Sequence, residues 1–141
     1  MPEPVLYTEI PGLPKIASGK VRDIYDLGDY LLLVTSDRIS AFDVIMPNGI
    51  PDKGCVLTQI SHFWFQTLSS IIKAHEVSIL IEEITVALRE AGATVTPEVQ
   101  AMLEGRSLLC VKAEPLPIEC VVRGYLAGSL WKEYREAGGG S

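Results

Sequence analysis

Three short segments of this chain combine residue types that do chemistry. The first is Ser18-Gly19-Lys20-Val21-Arg22. Glycine lets a backbone approach a ligand closely, and cations two residues apart share one side of an extended chain. That suits a loop folded over a polyphosphate; a plain strand entry with a solvated basic pair would use the same residues. The second, Thr35-Ser36-Asp37-Arg38-Ile39-Ser40-Ala41-Phe42-Asp43, places two acids, an arginine and several hydroxyls between β-prone runs. It reads either as a functional loop held by strands or as an Asx-type turn in which Asp37 and Ser40 bond local backbone. In the third, Arg123 comes off a β-prone run and Gly128-Ser129 opens a helix. Helix-start N–H groups bind phosphate, and an arginine fork adds bidentate contact. The bland alternative is an N-cap serine with Arg123 in a surface ion pair. His62 and His75 have no cysteine or second histidine at ligand spacing, so no metal site is assigned.

The elements that must hold these segments follow from pattern. A proline-rich lead-in precedes two β-prone runs, Val21–Leu27 and Tyr30–Thr35, which form a hairpin about Leu27-Gly28-Asp29. Ile39–Met46 reads as a third strand closed by Pro47-Asn48-Gly49. Apolar residues at Val56, Ile60, Phe63, Trp64, Thr67, Leu68 and Ile71 then follow helical spacing. His75–Ile84 is open between strand and loop, and Thr85–Glu90 is a short helix. Thr96-Pro97-Glu98 opens another helix, with a capping threonine, proline in the first turn and an acid near the positive end. Ser107–Ala113 and Ile118–Tyr125 read as strands, Ser129–Glu136 as a final helix, and residues 138–141 as a flexible tail or linker.

Composition narrows the class. The 141 residues carry 48% hydrophobic and 21% charged side chains, ordinary for a globular domain and unlike a disordered chain. The net charge of −6 is spread evenly: residues 1–70 hold 5 basic and 8 acidic groups, residues 71–141 hold 7 and 10. Such a balance offers nothing to nucleic acid by charge alone. No aliphatic run approaches the ~20 residues of a membrane span, and no secretory signal opens the chain. Three cysteines, Cys55, Cys110 and Cys120, never form a CxxC pair, so a disulfide framework is not expected and a cytoplasmic location is.

Taken in order, SGKVRDIY, TSDRISAFDVIMPNGIPDKGCVLTQISHFWF and ECVVRGYLAGSLWKEY closely resemble the successive motifs of the SAICAR synthetase family, and the resemblance runs from about Leu13 to Glu136. It implies an ATP-dependent ligase of purine biosynthesis, joining carboxyaminoimidazole ribotide to L-aspartate with release of ADP and phosphate. Phosphorylation is the expected activation, because a carboxylate is a poor acceptor for an amine. The implied fold is α+β: an antiparallel sheet lobe with helices, then the start of a second α+β nucleotide-binding lobe. The corresponding division is 1–90, 91–137 and a tail at 138–141.

Residue by residue, the resemblance implies that Gly19, Lys20, Val21 and Arg22 cover the phosphates of ATP. Lys112 would face the nucleotide, and Glu114 to Leu116 would meet the adenine. Arg123, Gly128 and Ser129 match the ribotide-phosphate positions. Asp37, Arg38, Ser40 and Asp43 match the stretch facing the substrate cleft, with Asp37, Arg38 and Asp43 expected to be catalytic and Ser40 to bind substrate. Leu130 stands where related sequences often carry a small residue such as glycine. The family continues past the WKEY helix, and no aspartate occurs here after residue 70; the carboxylates for Mg2+ are therefore expected outside this chain. An incomplete cleft would leave apolar surface exposed, with self-association as one outcome. Two rival readings remain beside the ligase: a non-catalytic nucleotide- or ribotide-phosphate-binding fragment, and a purely structural one.

Overall fold

The computed structural model describes residues 3–42, 44–118 and 120–139. Its elements in chain order are β1 (Lys15–Ser18), β2 (Arg22–Asp26), β3 (Tyr30–Thr35), β4 (Arg38–Ala41), β5 (Val44–Gly49), α1 (Lys53–Leu68), β6 (Glu76–Ser78), α2 (Ile81–Glu90), α3 (Pro97–Leu103), β7 (Ser107–Val111) and α4 (Ser129–Glu136). Five strands form an antiparallel sheet in the order β1-β2-β3-β7-β6, and β4 with β5 forms a separate two-stranded ribbon.

Strand alternation gives the main sheet two distinct faces. On one, Tyr25, Leu32 and Leu109 lie in register across β2, β3 and β7. They are buried with Ile10 of the lead-in, Ile84 and Leu88 of α2, and Val99 and Leu103 of α3. The other face carries Arg22, Ile24, Asp26, Leu31 and Leu33. Helix α1 covers its end near Thr35 and Leu108, where Thr58 Oγ1 bonds Thr35 Oγ1 at 3.2 Å, and reaches β6 where His62 Nδ1 lies 2.6 Å from Glu76 Oε1. Cys110 is also buried on this face, while Arg22, Ile24, Asp26, Leu31 and Leu33 stay half-buried or exposed.

The expected hairpin is present, with Gly28 in the left-handed region (φ 86°) and its N–H on Asp26 Oδ1 at 2.9 Å. The threonine cap is present too: Thr96 Oγ1 accepts from the N–H of Val99, which opens α3. Four local expectations are corrected. Ile39–Met46 is not one strand, because the chain reverses at Phe42, whose φ of 48° no turn residue announces. Pro47-Asn48-Gly49 does not close a strand but lies within β5, where proline is tolerated because this ribbon has open edges. The lead-in ends in a strand, β1, that its prolines concealed. Ile118–Tyr125 forms no strand in its described part, where no ladder partner takes up its backbone groups.

Helix boundaries also moved. The helix expected at Thr85 begins at Ile81, with Glu82 and Glu83 in its first turn. Helix α1 begins at Lys53 rather than Val56. The expected division at residue 90 does not separate two cores: α3 packs into the first core and β7 lies inside the first sheet. Every described residue from Val111 to Gly139 is exposed. No helix among the described residues is long and apolar enough to cross a membrane.

Candidate nucleotide and phosphate site

The loop from Ser18 to Arg22 turns β1 back into β2. Gly19 N–H donates to Arg22 O at 2.7 Å and closes the turn. Beneath it lies Arg38, only 3% exposed. Its guanidinium donates to Gly19 O (Nη2, 2.9 Å), Lys20 O (Nε, 3.3 Å), Leu6 O (Nη1, 2.6 Å) and Asp23 Oδ1 (Nη2, 2.9 Å). Asp23 is wholly buried and also accepts from Ser18 Oγ, Thr8 Oγ1 and Lys15 Nζ. Burial alone would raise its pKa; the hydrogen bonds from Arg38, Ser18, Thr8 and Lys15 outweigh that and hold the carboxyl well below the usual range.

Asp37, the next acid along, is equally buried. Its Oδ2 accepts from Val5 N–H, and its Oδ1 from Gly54 N–H and Arg106 Nη1, each at 2.8 Å. Gly54 lies in the first turn of α1, whose own N-cap residue, Asp52, makes no side-chain cap. Asp37 caps that helix from a distant strand connection, which is why α1 starts before its apolar pattern does. Burial raises the Asp37 pKa, but Arg106 and the two backbone donors lower it further, for a net shift below the ordinary value. A Cβ at Gly54 would collide with Thr35 O, so the helix approaches β3 this closely only through glycine.

These contacts correct the expectation for two residues. Asp37 and Arg38 do not face a cleft; both are sealed inside and occupied by the protein's own groups. Of the same segment, Ser40 is exposed on β4, while Asp43 lies outside the described residues. Lys15, Gly54 and Arg106 were not singled out from the sequence, nor was Asp23 as a buried acid. The available signal was Asp23 beside Tyr25 in a β-run, since an acid at an inward position demands partners.

On the sheet face away from the core, Lys112 Nζ bonds Asp26 Oδ2 at 2.6 Å just past the end of β7. That bond, with the Gly28 N–H, holds the Asp26 carboxyl below its ordinary value. Lys112 therefore shares a face with Arg22, as the nucleotide reading needs. Glu114 and Leu116 follow in exposed, irregular chain. Further on, Gly128 takes φ 63° and ψ −135°, a conformation open to glycine, and is the residue before α4. Ser129 is thus the first helical residue and not the N-cap, and the N-cap residue, Gly128, has no side chain to cap the helix. Arg123 Nη1 lies 3.7 Å from where a Gly128 Cβ would be, so the structure brings Arg123 to this uncapped helix start. Leu130 is accommodated there, about half exposed.

The chain as a whole matches solved structures. A SAICAR synthase matches with a TM-score of 0.82 and 45% identity over 95% of this chain and 45% of its own. The SAICAR-synthase from Saccharomyces cerevisiae complexed with SAICAR matches at 0.81 with the same identity and coverage. The fold is therefore that of the SAICAR synthases. Among curated relatives, phosphoribosylaminoimidazole-succinocarboxamide synthase from Pelobacter propionicus is 56% identical over 138 residues, and that from Syntrophotalea carbinolica 58% over 134. The sequence model of the SAICAR synthetase family covers residues 15–139, and the chain belongs to that family. It spans less than half the length of these relatives, 44% and 43%.

Proposed function

We propose that this chain supplies the phosphate loop, the open sheet face and the ribotide-phosphate elements of an ATP-dependent ligase that joins carboxyaminoimidazole ribotide to L-aspartate. The observation carrying this reading is its likeness, over 95% of its length, to a yeast structure described as complexed with SAICAR. In this reading Gly19, Lys20, Val21 and Arg22 lie over the ATP phosphates, and Lys112 on the same sheet face approaches the nucleotide. Glu114 and Leu116 border the adenine. Arg123 and the start of α4 at Gly128 and Ser129 receive the ribotide phosphate, because a guanidinium and uncapped N–H groups converge there. ATP makes the ribotide carboxylate an acceptor by phosphorylating it, and the aspartate amine then displaces phosphate. The chain's own contribution is binding and orientation, which dominate phosphoryl-transfer catalysis. Ser40, on the β4–β5 ribbon, belongs to the substrate side, and by the family resemblance so does Asp43. A cytoplasmic location goes with the same reading.

Among the described residues no three His, Cys, Asp or Glu side chains cluster to hold a metal, and Asp23 and Asp37 are engaged internally; in this reading the carboxylates for Mg2+ lie in the part of the relatives that this chain does not span.

The test is a chimera of the P. propionicus relative in which this chain replaces the matching 138 residues. ADP release that requires both ribotide and aspartate supports the reading. A folded chimera that releases ADP without either substrate, or none at all, overturns it. The 141 residues alone are expected to bind ATP weakly without turnover.

A further inference from the structure

We propose that Arg38 is a positioning residue for the Ser18–Arg22 loop, holding its carbonyl groups inward so that its outer side is preset for phosphate; this rests on the nucleotide reading above. The carbonyl oxygens of the loop are accounted for in succession. Gly19 O and Lys20 O accept from Arg38, Val21 O accepts from Ser36 N–H (2.8 Å) and Oγ (3.0 Å), and Arg22 O accepts from Gly19 N–H. In a planar trans peptide the N–H points opposite to the C=O. Fixing Gly19 C=O and Lys20 C=O toward the buried guanidinium therefore directs the N–H groups of Lys20 and Val21 to the outside. Outward successive N–H groups form an anion-binding concavity.

A second observation points to a ligand. Gly19 is not at positive φ, and a Cβ there would meet only Arg22 O at 3.5 Å, an ordinary contact. The fold does not require this glycine, whereas a group lying against the loop would. Arg38 is inaccessible, so its effect on a ligand passes through the loop. Because it also begins β4, it links the loop to the ribbon that carries Ser40.

The experiment compares the 141-residue chain with its Arg38→Lys variant, which keeps the charge but loses the fork. Hydrogen exchange at the amides of residues 19–22 reads the loop directly, and calorimetric titration with ATP and with adenosine reads the phosphate contribution. Exchange should accelerate at those amides beyond any global change. ATP affinity should fall at least tenfold, with adenosine affinity held within twofold. Unchanged exchange, or equal weakening of ATP and adenosine, overturns the proposal. If the parent chain binds no ATP at millimolar concentration while exchange responds as expected, the clamp stands and the nucleotide reading falls. Should Arg38→Lys fail to fold, Asp23→Asn, which removes the carboxylate charge from Arg38, is read by the same measurements against the same outcomes.

Discussion

Two regions of this molecule use the same residue types to opposite ends. In the sheet region up to Cys110, Asp23, Asp37, Arg38 and Arg106 are buried and bonded to one another or to backbone. From Val111 onward, Lys112, Glu114, Arg123 and Ser129 are exposed. A guanidinium whose donors are already spent on carbonyls and a carboxylate organises the chain. One left at the surface beside an uncapped helix start is available to a ligand. Burial, not residue type, separates the two roles.

The comparison breaks most readily at Asp37. Asp37→Ala leaves Arg106 charged and buried and uncaps α1, which should cost about 3–5 kcal/mol of stability. Urea unfolding measures it, and a loss below about 1 kcal/mol would show that the cluster is not the organiser described here. Acid should act on the same region. Asp23 and Asp37 are held below their ordinary pKa values, so the unfolded chain binds more protons and stability falls with pH. Their contribution is complete above about pH 5 and is lost progressively as the pH drops through about 3.9 and below. The urea midpoint measured from pH 6 to pH 3 should show this limb, and Asp23→Asn should flatten it.

In the open region the expected effect moves from stability to binding. Arg123→Ala in the chimera should weaken ribotide binding by about 1.5–3 kcal/mol, roughly ten- to a hundredfold, with the unfolding midpoint unchanged. Ribotide affinity within twofold of the parent removes Arg123 from the site. The smallest structural effect belongs to Gly19→Ala, which should alter stability by no more than about 0.5 kcal/mol while weakening ATP binding. Gly54→Ala, by contrast, must push α1 off Thr35.

What could be read from the sequence follows the same divide. The β2–β3 hairpin, the Thr96 cap and α4 were legible because their signals are local: a turn glycine, a capping hydroxyl, a helical period. The order of the motifs was specific enough to place Arg123 beside Gly128 and Ser129. Illegible were features set by partners far along the chain. The start of α1 depends on Asp37, and the insides of Asp37 and Arg38 depend on Arg106, Val5 and Asp23. Polar residues crowded between strands looked like chemistry because a sequence shows their types and not their burial. The reversal at Phe42 carries no glycine or proline, and β-propensity alone could not locate it.

The placement of β7 between β3 and β6 has a consequence for how the protein is made. Thr35 and Arg106, 71 positions apart, meet at this seam. During synthesis β1, β2 and β3 can pair early, but the inner edge of β3 must wait for residues 107–111 to leave the ribosome. Throughout that interval a row of unpaired backbone groups flanked by Leu31, Leu32, Leu33 and Val34 faces the surroundings, an invitation to pair with another nascent chain. The late strand thus acts as its own closing chaperone, and slow translation between α1 and β7 would lengthen the exposure of that edge.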